Sequence, residues 1–164
     1  GDGTAPSDAQ RRASEALRGQ QGCLLRCSVP WMFSDDADRT LAARIRDLTP
    51  AMGRAEAILH AAVSRNFERE SAGDDPWAAL APSTIEGRVR AGYSPGPILQ
   101  RTHALASSIS GGHGKDFAEV GTGVEYGQYH QTGTRKMPAR PFLIATERDL
   151  DLIGEAIADY IAGK

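Results

Sequence analysis

The sequence predicts an α+β fold in which a long N-terminal helix and a C-terminal amphipathic helix pack on a small antiparallel sheet, with short helices between. Three patterns predict it. Met52, Ala55, Leu59, Ala62 and Phe67 form an apolar stripe at helical spacing, widened by Ile58 and Val63. Leu150, Ile153, Ile157 and Ile161 form a second such stripe near the end. Between them, Asp116 to Thr122 alternates with a period of two, which suits a strand with Ala118 and Val120 on one side.

Residues 1–31 read differently from the rest. Gly1 to Ser7 is linker-like, Ala9 to Leu17 suits one short polar helix, and Gly19-Gln20-Gln21-Gly22 is a breaker cluster. Regular periodicity starts only after Met32. The expectation is therefore a domain over 32–164, preceded by an N-terminal extension or by residues added to the natural chain. From Asp36 the stripe Leu41, Ile45, Leu48 predicts a first helix. Thr49-Pro50 then reads as an N-cap followed by proline at the first helical position. A helix from Pro50 to Glu70 is about 30 Å long, long enough to serve as the scaffold.

Ser71 to Pro76 ends that helix, and Trp77 and Leu80 follow. Ser83 with Glu86 has the spacing of a capping box for a short helix toward Arg90. Ile98 to Thr102 leads into another short helix in which Leu105 and Ile109 share a face. After Gly111-Gly112-His113-Gly114 the period changes. Met137 to Ala145 reads as extended, with Phe142 and Ile144 on one face, and Thr146 as the cap of the last helix. No internal repeat is present.

The chain has 164 residues, enough for one domain. Aromatics make up only 6%, so the core must rest on Leu, Ile, Val and Ala. No apolar run approaches the roughly 18 residues that span a bilayer, so no membrane partner is expected. A net charge of -2 speaks against a dedicated nucleic-acid binder, which is usually strongly basic. Cys23 and Cys27 stand four apart with no second pair of ligands nearby, so two free thiols in a reducing cytoplasm is the simpler reading. His60, His103, His113 and His130 are scattered without metal-ligand spacing. Gly121-Thr122-Gly123-Val124-Glu125-Tyr126-Gly127 has its third glycine one position late for a dinucleotide loop, and no nucleophile elbow or phosphate-loop lysine occurs. No catalytic residue, metal or cofactor is expected, and the chain is not read as an enzyme.

Five blocks in order carry a resemblance. They are Trp77-Ala78-Ala79-Leu80 with Ser83-Thr84; Ile98-Leu99-Gln100-Arg101-Thr102 with Leu105; Ser108-Ile109; Tyr126 with Tyr129-His130-Gln131 and Gly133; and Met137-Pro138-Ala139-Arg140-Pro141-Phe142-Leu143. Together they resemble the virion morphogenesis (tail completion) proteins of Mu-like and P2-like phages, over roughly residues 36 to 162. Each block alone is weak. One departure stands out, because the family usually has glycine where His103 follows Thr102. If that position needs positive φ, histidine is strained there by about 1 kcal/mol, and if it lies within a helix histidine is harmless.

The resemblance implies a structural virion protein, made in the host cytoplasm, that completes the tail at the neck where it joins the head. It also implies a homo-oligomer, commonly a hexameric ring, with tail tube and neck or connector proteins as partners. The alternative is a DNA-contacting accessory protein of the packaging or neck region, making non-specific contact with the genome.

The residues themselves leave several readings open. Trp77 is an interface anchor or a plug over the long helix. Tyr126, Tyr129 and His130 form a contact patch or pack internally. Arg140, in an apolar stretch with Phe142, bridges a carboxylate within the subunit or reaches across an interface. Arg135 and Lys136 form a loop tip facing solvent, a neighbour or DNA. On the last helix Glu147, Asp151, Glu155 and Asp159 make an acidic stripe that repels itself, and so suits either a basic neighbour or plain solvation.

Overall fold

The computed structural model describes residues 23–28 and 39–163. Strand β1 spans Cys23–Ser28, helix α1 Arg39–Arg46 and helix α2 Thr49–Arg69. A two-residue pair, β2 (Ser71–Ala72) and β3 (Asp75–Pro76), leads to helix α3 (Pro82–Arg90) and the single turn α4 (Ala104–Ser107). Strands β4 (Ile109–His113) and β5 (Phe117–Thr122), helix α5 (Gly127–Thr132) and helix α6 (Glu147–Ala162) complete the order. This is the α+β architecture expected. The helix expected over Ala9 to Leu17 and the helix start expected at Asp36 lie outside the described residues.

The main sheet is antiparallel in the order β1-β5-β4. Val120 of β5 stands between Leu25 of β1 and Gly111 of β4. The edge strand β1 lies among the residues read as an N-terminal extension, and it pairs with β5 along its whole length. α2 packs on β4 and β5 and also along α6, so one helix touches both layers of the core. Its buried residues, Ala51, Met52, Ala55, Leu59, Ala62, Val63, Asn66 and Phe67, follow helical spacing. They meet Ala118 and Val120 from the sheet, Ile153 and Ile157 from α6, and Phe142 and Leu143 from the segment before it.

Several local expectations are corrected. Thr49 lies inside α2, whose N-cap is Leu48 without a side-chain bond; one residue earlier, Asp47 Oδ1 accepts from the Thr49 N–H at 3.1 Å and from the Thr49 hydroxyl at 2.6 Å. These two bonds, the hydroxyl first, hold the Asp47 carboxyl below its ordinary range. Ser83 and Glu86 form no capping box, because α3 already starts at Pro82 and Ala81 occupies the cap without a side-chain bond. The helix holding Leu105 stops at Ser107, where the Ser107 and Ser108 hydroxyls bond the carbonyls of the preceding turn. Ile109 therefore opens a strand, and the glycines at 111 and 112 lie within it. Leu150 is half exposed on α6, outside the buried stripe of Ile153 and Ile157.

Among the described residues Met137 to Ala145 joins no sheet, and its one ladder contact is the bridge between Met137 and Thr134. Phe142 and Leu143, adjacent in sequence, are both buried, whereas a strand would send them to opposite faces. Side chains take over the role of a ladder. Asn66 Nδ2 donates to the carbonyls of Phe142 (2.9 Å) and Ile144 (2.8 Å), and Gln131 Oε1 accepts from the N–H groups of Phe142 and Leu143, both at 3.1 Å. The Trp77 indole N–H donates to the Pro141 carbonyl at 2.8 Å.

α6 starts as expected at Thr146, with Asp149 completing a capping box. Asp149 is buried and also accepts from Arg65 on α2, which ties the start of α6 to the scaffold helix. Burial pushes the Asp149 carboxyl up, but the bonds from Thr146 and Arg65 outweigh it and leave it below the ordinary value of 3.8. A carboxylate depressed on folding adds stability above its unfolded pKa, and that stability is lost as pH falls through the lower folded value. Acid unfolding should therefore steepen below pH 3.8, and Asp149→Asn should flatten that limb in denaturant melts at stepped pH. Asn66→Leu should cost about 2–4 kcal/mol in urea titrations, since it strands two interior carbonyls and the Gly73 N–H. A loss below about 0.5 kcal/mol would show that the 137–145 segment is held by packing alone.

Candidate functional site

A cavity of about 850 Å³ opens between α3, the 99–105 segment, the start of α5 and residues 136–140. Its wall carries Arg88, Arg101, His130, Lys136 and Arg140, with no carboxylate among the residues lining it. Leu80, Leu99, Leu105, Met137 and Pro138 supply apolar surface.

Two of the cations lie inside the protein. Arg140 is 6% exposed; its Nε donates to the Ala78 carbonyl at 2.8 Å and an Nη to the Ala79 carbonyl at 3.1 Å. The carboxylate bridge expected of Arg140 is absent among the described residues; backbone carbonyls take its place. They accept from two of its N–H groups and leave its charge unbalanced by any carboxylate among the described residues. Arg88 is 8% exposed and gives one Nη to the Pro97 carbonyl at 2.8 Å, while its Nε is buried with no partner among the described residues. Burial first, and then the charge of Arg88, lowers the Arg140 pKa. His130 also keeps a buried Nδ1 with no partner among the described residues, and its pKa is lowered by burial and then by Arg140.

The 98–103 segment that walls the cavity is held in tight turns: Leu99 has φ 59° and His103 φ 57°. The position where the family usually has glycine is therefore left-handed, and His103 occupies it under strain. On the other side, Gly133 at φ 73° lets the chain pass the 137–139 backbone. A Cβ there would come within 2.7 Å of the Ala139 nitrogen.

Of the candidate residues, Tyr126, His130, Lys136 and Arg140 are brought together at this cavity. Tyr126 and His130 meet edge to face at 6.0 Å. Tyr126 is 44% exposed, and Tyr129, one helical step away, is half exposed on the surface of α5. Arg135 is exposed on the neighbouring loop. Trp77 is buried, edge-on to Phe67 at 5.9 Å, as a plug over α2. Phe142 is fully buried beside Phe67. Asp151 and Glu155 are exposed on α6, which contributes nothing to the cavity lining. Arg88 and Arg101 were not singled out from sequence. A basic residue in a short polar helix carries no mark of burial; only the packing of α3 against the 97–99 turn creates it. Asn66 did carry a signal, being a polar residue in phase with an apolar stripe.

Among the described residues no group of three or more His, Cys, Asp or Glu is placed to hold a metal ion, and no helix is long and apolar enough to cross a membrane.

The chain matches the phage virion morphogenesis family over residues 34–162 and belongs to it. It is 35% identical over 104 residues to Mu-like prophage FluMu G protein 1 of Haemophilus influenzae, covering 62% of this chain and 70% of that protein. It is 32% identical over 127 residues to FluMu G protein 2 of the same organism, covering 73% and 83%. Protein G of Escherichia phage Mu, whose name assigns it provisionally to capsid assembly, is 32% identical over 109 residues, covering 60% and 67%. No solved structure matches the chain.

Two outcomes are expected of the site. His103→Gly should raise stability by up to about 1 kcal/mol, because glycine adopts φ 57° without steric cost; an unchanged or lower midpoint in urea would show that the turn is unstrained. The lowered His130 pKa means that the unfolded chain binds the proton more readily. Stability is then fully present above pH 6.5 and falls as pH drops from there toward the folded value. His130→Gln should abolish that part of the pH profile.

Proposed function

We propose that this virion morphogenesis protein is a structural subunit that completes the tail and forms part of the neck, where the tail meets the head. In this reading it acts as a ring of identical copies, has no catalytic role, and contacts the tail tube on one side and neck or connector proteins on the other. The observation that carries the reading is the family match, which runs from ahead of α1 to the last residue of α6. The half-exposed tyrosines of α5 beside a cationic cavity supply a surface suited to protein contact, since tyrosine and arginine are enriched at interfaces.

A second reading comes from the printed name of the phage Mu relative, a role in capsid assembly. Deleting the gene from the encoding phage separates the two. Tail completion predicts lysates with filled heads and separate, unjoined tails by electron microscopy, restored to whole particles by adding back the protein. Missing or malformed heads beside normal tails would overturn the neck assignment in favour of capsid assembly. Mass photometry of the purified protein, with and without tail tubes, should show a ring-sized species; a monomer under both conditions would remove the ring from the proposal.

A further inference from the structure

The cavity pairs two buried guanidiniums with no internal anion. Arg88 and Arg140 are both more than nine-tenths buried, and neither has a carboxylate partner among the described residues. Buried cations are ordinarily paired, because the cost of desolvation is offset only by an opposite charge and hydrogen bonds. Arg88 Nε and His130 Nδ1 are, in addition, interior polar atoms without a partner among the described residues. An oxyanion entering the cavity would accept from Arg88 Nε and balance both guanidiniums. Lys136 and Arg101, exposed at its mouth, would draw it in.

The chemistry of the wall selects among oxyanions. Leu80, Leu99, Leu105, Met137 and Pro138 give the wall an apolar side, which suits a carboxylate on an aliphatic stem. A duplex phosphate meets cations that project outward, and the two deepest cations here do not. The chain itself presents such carboxylates. Glu147, Asp151 and Glu155 are exposed along one face of α6, with Ala158 and Gly154 beside them. A Cβ at Gly154 would meet nothing within 4 Å, so a neighbour has room to approach the helix closely there. No residue of α6 lines the cavity of its own subunit.

We propose that the Arg88–Arg140 cavity is a socket for a carboxylate, Asp151 or Glu155, on helix α6 of a second copy of this chain. Socket and plug occupy different surfaces, so the contact is heterologous and repeats head to tail, which generates a ring where the rotation closes. The socket rests on the ring reading above.

The test places the photo-crosslinker benzoylphenylalanine at position 126, on the rim, in the full chain. Illumination of the assembled protein should give inter-subunit adducts that mass spectrometry maps to residues 147–162. The double variant Asp151→Asn, Glu155→Gln should lower their yield at least about tenfold while melting like the parent, the scale expected when one side of a desolvated charge contact is removed. Lys136→Glu should do the same. Rings that crosslink elsewhere, or that form equally well in both variants, overturn the socket and leave the ring standing. A chain that stays monomeric with tail tubes present overturns both. Random duplex DNA binding that blocks the crosslink, with a steep salt slope that Lys136→Glu reduces, would assign the cavity to the genome and overturn the proposal.

Discussion

The segment from Met137 to Ala145 crosses the core without a sheet to pair with, and the rest of the structure depends on how its backbone is satisfied. Asn66 holds two of its carbonyls from α2, and Gln131 holds two of its N–H groups from α5. A third bond of Asn66, from the Gly73 N–H to its side-chain oxygen, ties in the turn after α2. One side chain in the long helix therefore fixes both the exit of that helix and the approach to α6. Interior peptide groups left unpaired cost about 1–3 kcal/mol each, so no other route for this segment is open unless those groups find partners.

The placement of Arg140 follows from the same constraint. Once Phe142 is anchored in the core, with Trp77 donating to Pro141, Arg140 lies beside the 78–79 backbone and takes its carbonyls. Its charge is then directed toward a cavity that also receives Arg88. The Arg140 N–H donates to the His130 carbonyl at 2.7 Å, which draws α5 and its exposed tyrosines to the same rim. The cationic cavity is thus a consequence of how the core segment is threaded, and its charge can be changed at Lys136 or Arg101 without touching the core.

Much of the site was readable and part of it was not. Arg140 was visible because a charge between Ala139 and Pro141 in an apolar stretch must be accounted for. The nature of its partners was not visible, because carboxylates and backbone carbonyls serve an arginine equally well and sequence does not tell which lies near. Arg88 could not be singled out, since a basic residue between Gly87 and Val89 in a polar helix looks solvated until the 97–99 turn closes over it. The departure from glycine at His103 implies strain only where φ is positive, and the backbone there has φ 57°.

By itself the sequence determined the two long helices, the alternating strand Phe117–Thr122, the cap at Thr146 and the family. Each is written in local periodicity or in short ordered motifs, and a helix stripe or strand alternation needs no knowledge of distant residues. Tertiary structure alone decided that glycines 111 and 112 join a strand, that β1 pairs with β5, and that residues 137–145 are held by side chains instead of a sheet. It also decided that two arginines share one cavity. These outcomes depend on contacts between residues far apart in the chain, such as Asn66 with Phe142 and Arg140 with Ala78, and local pattern carries no record of them.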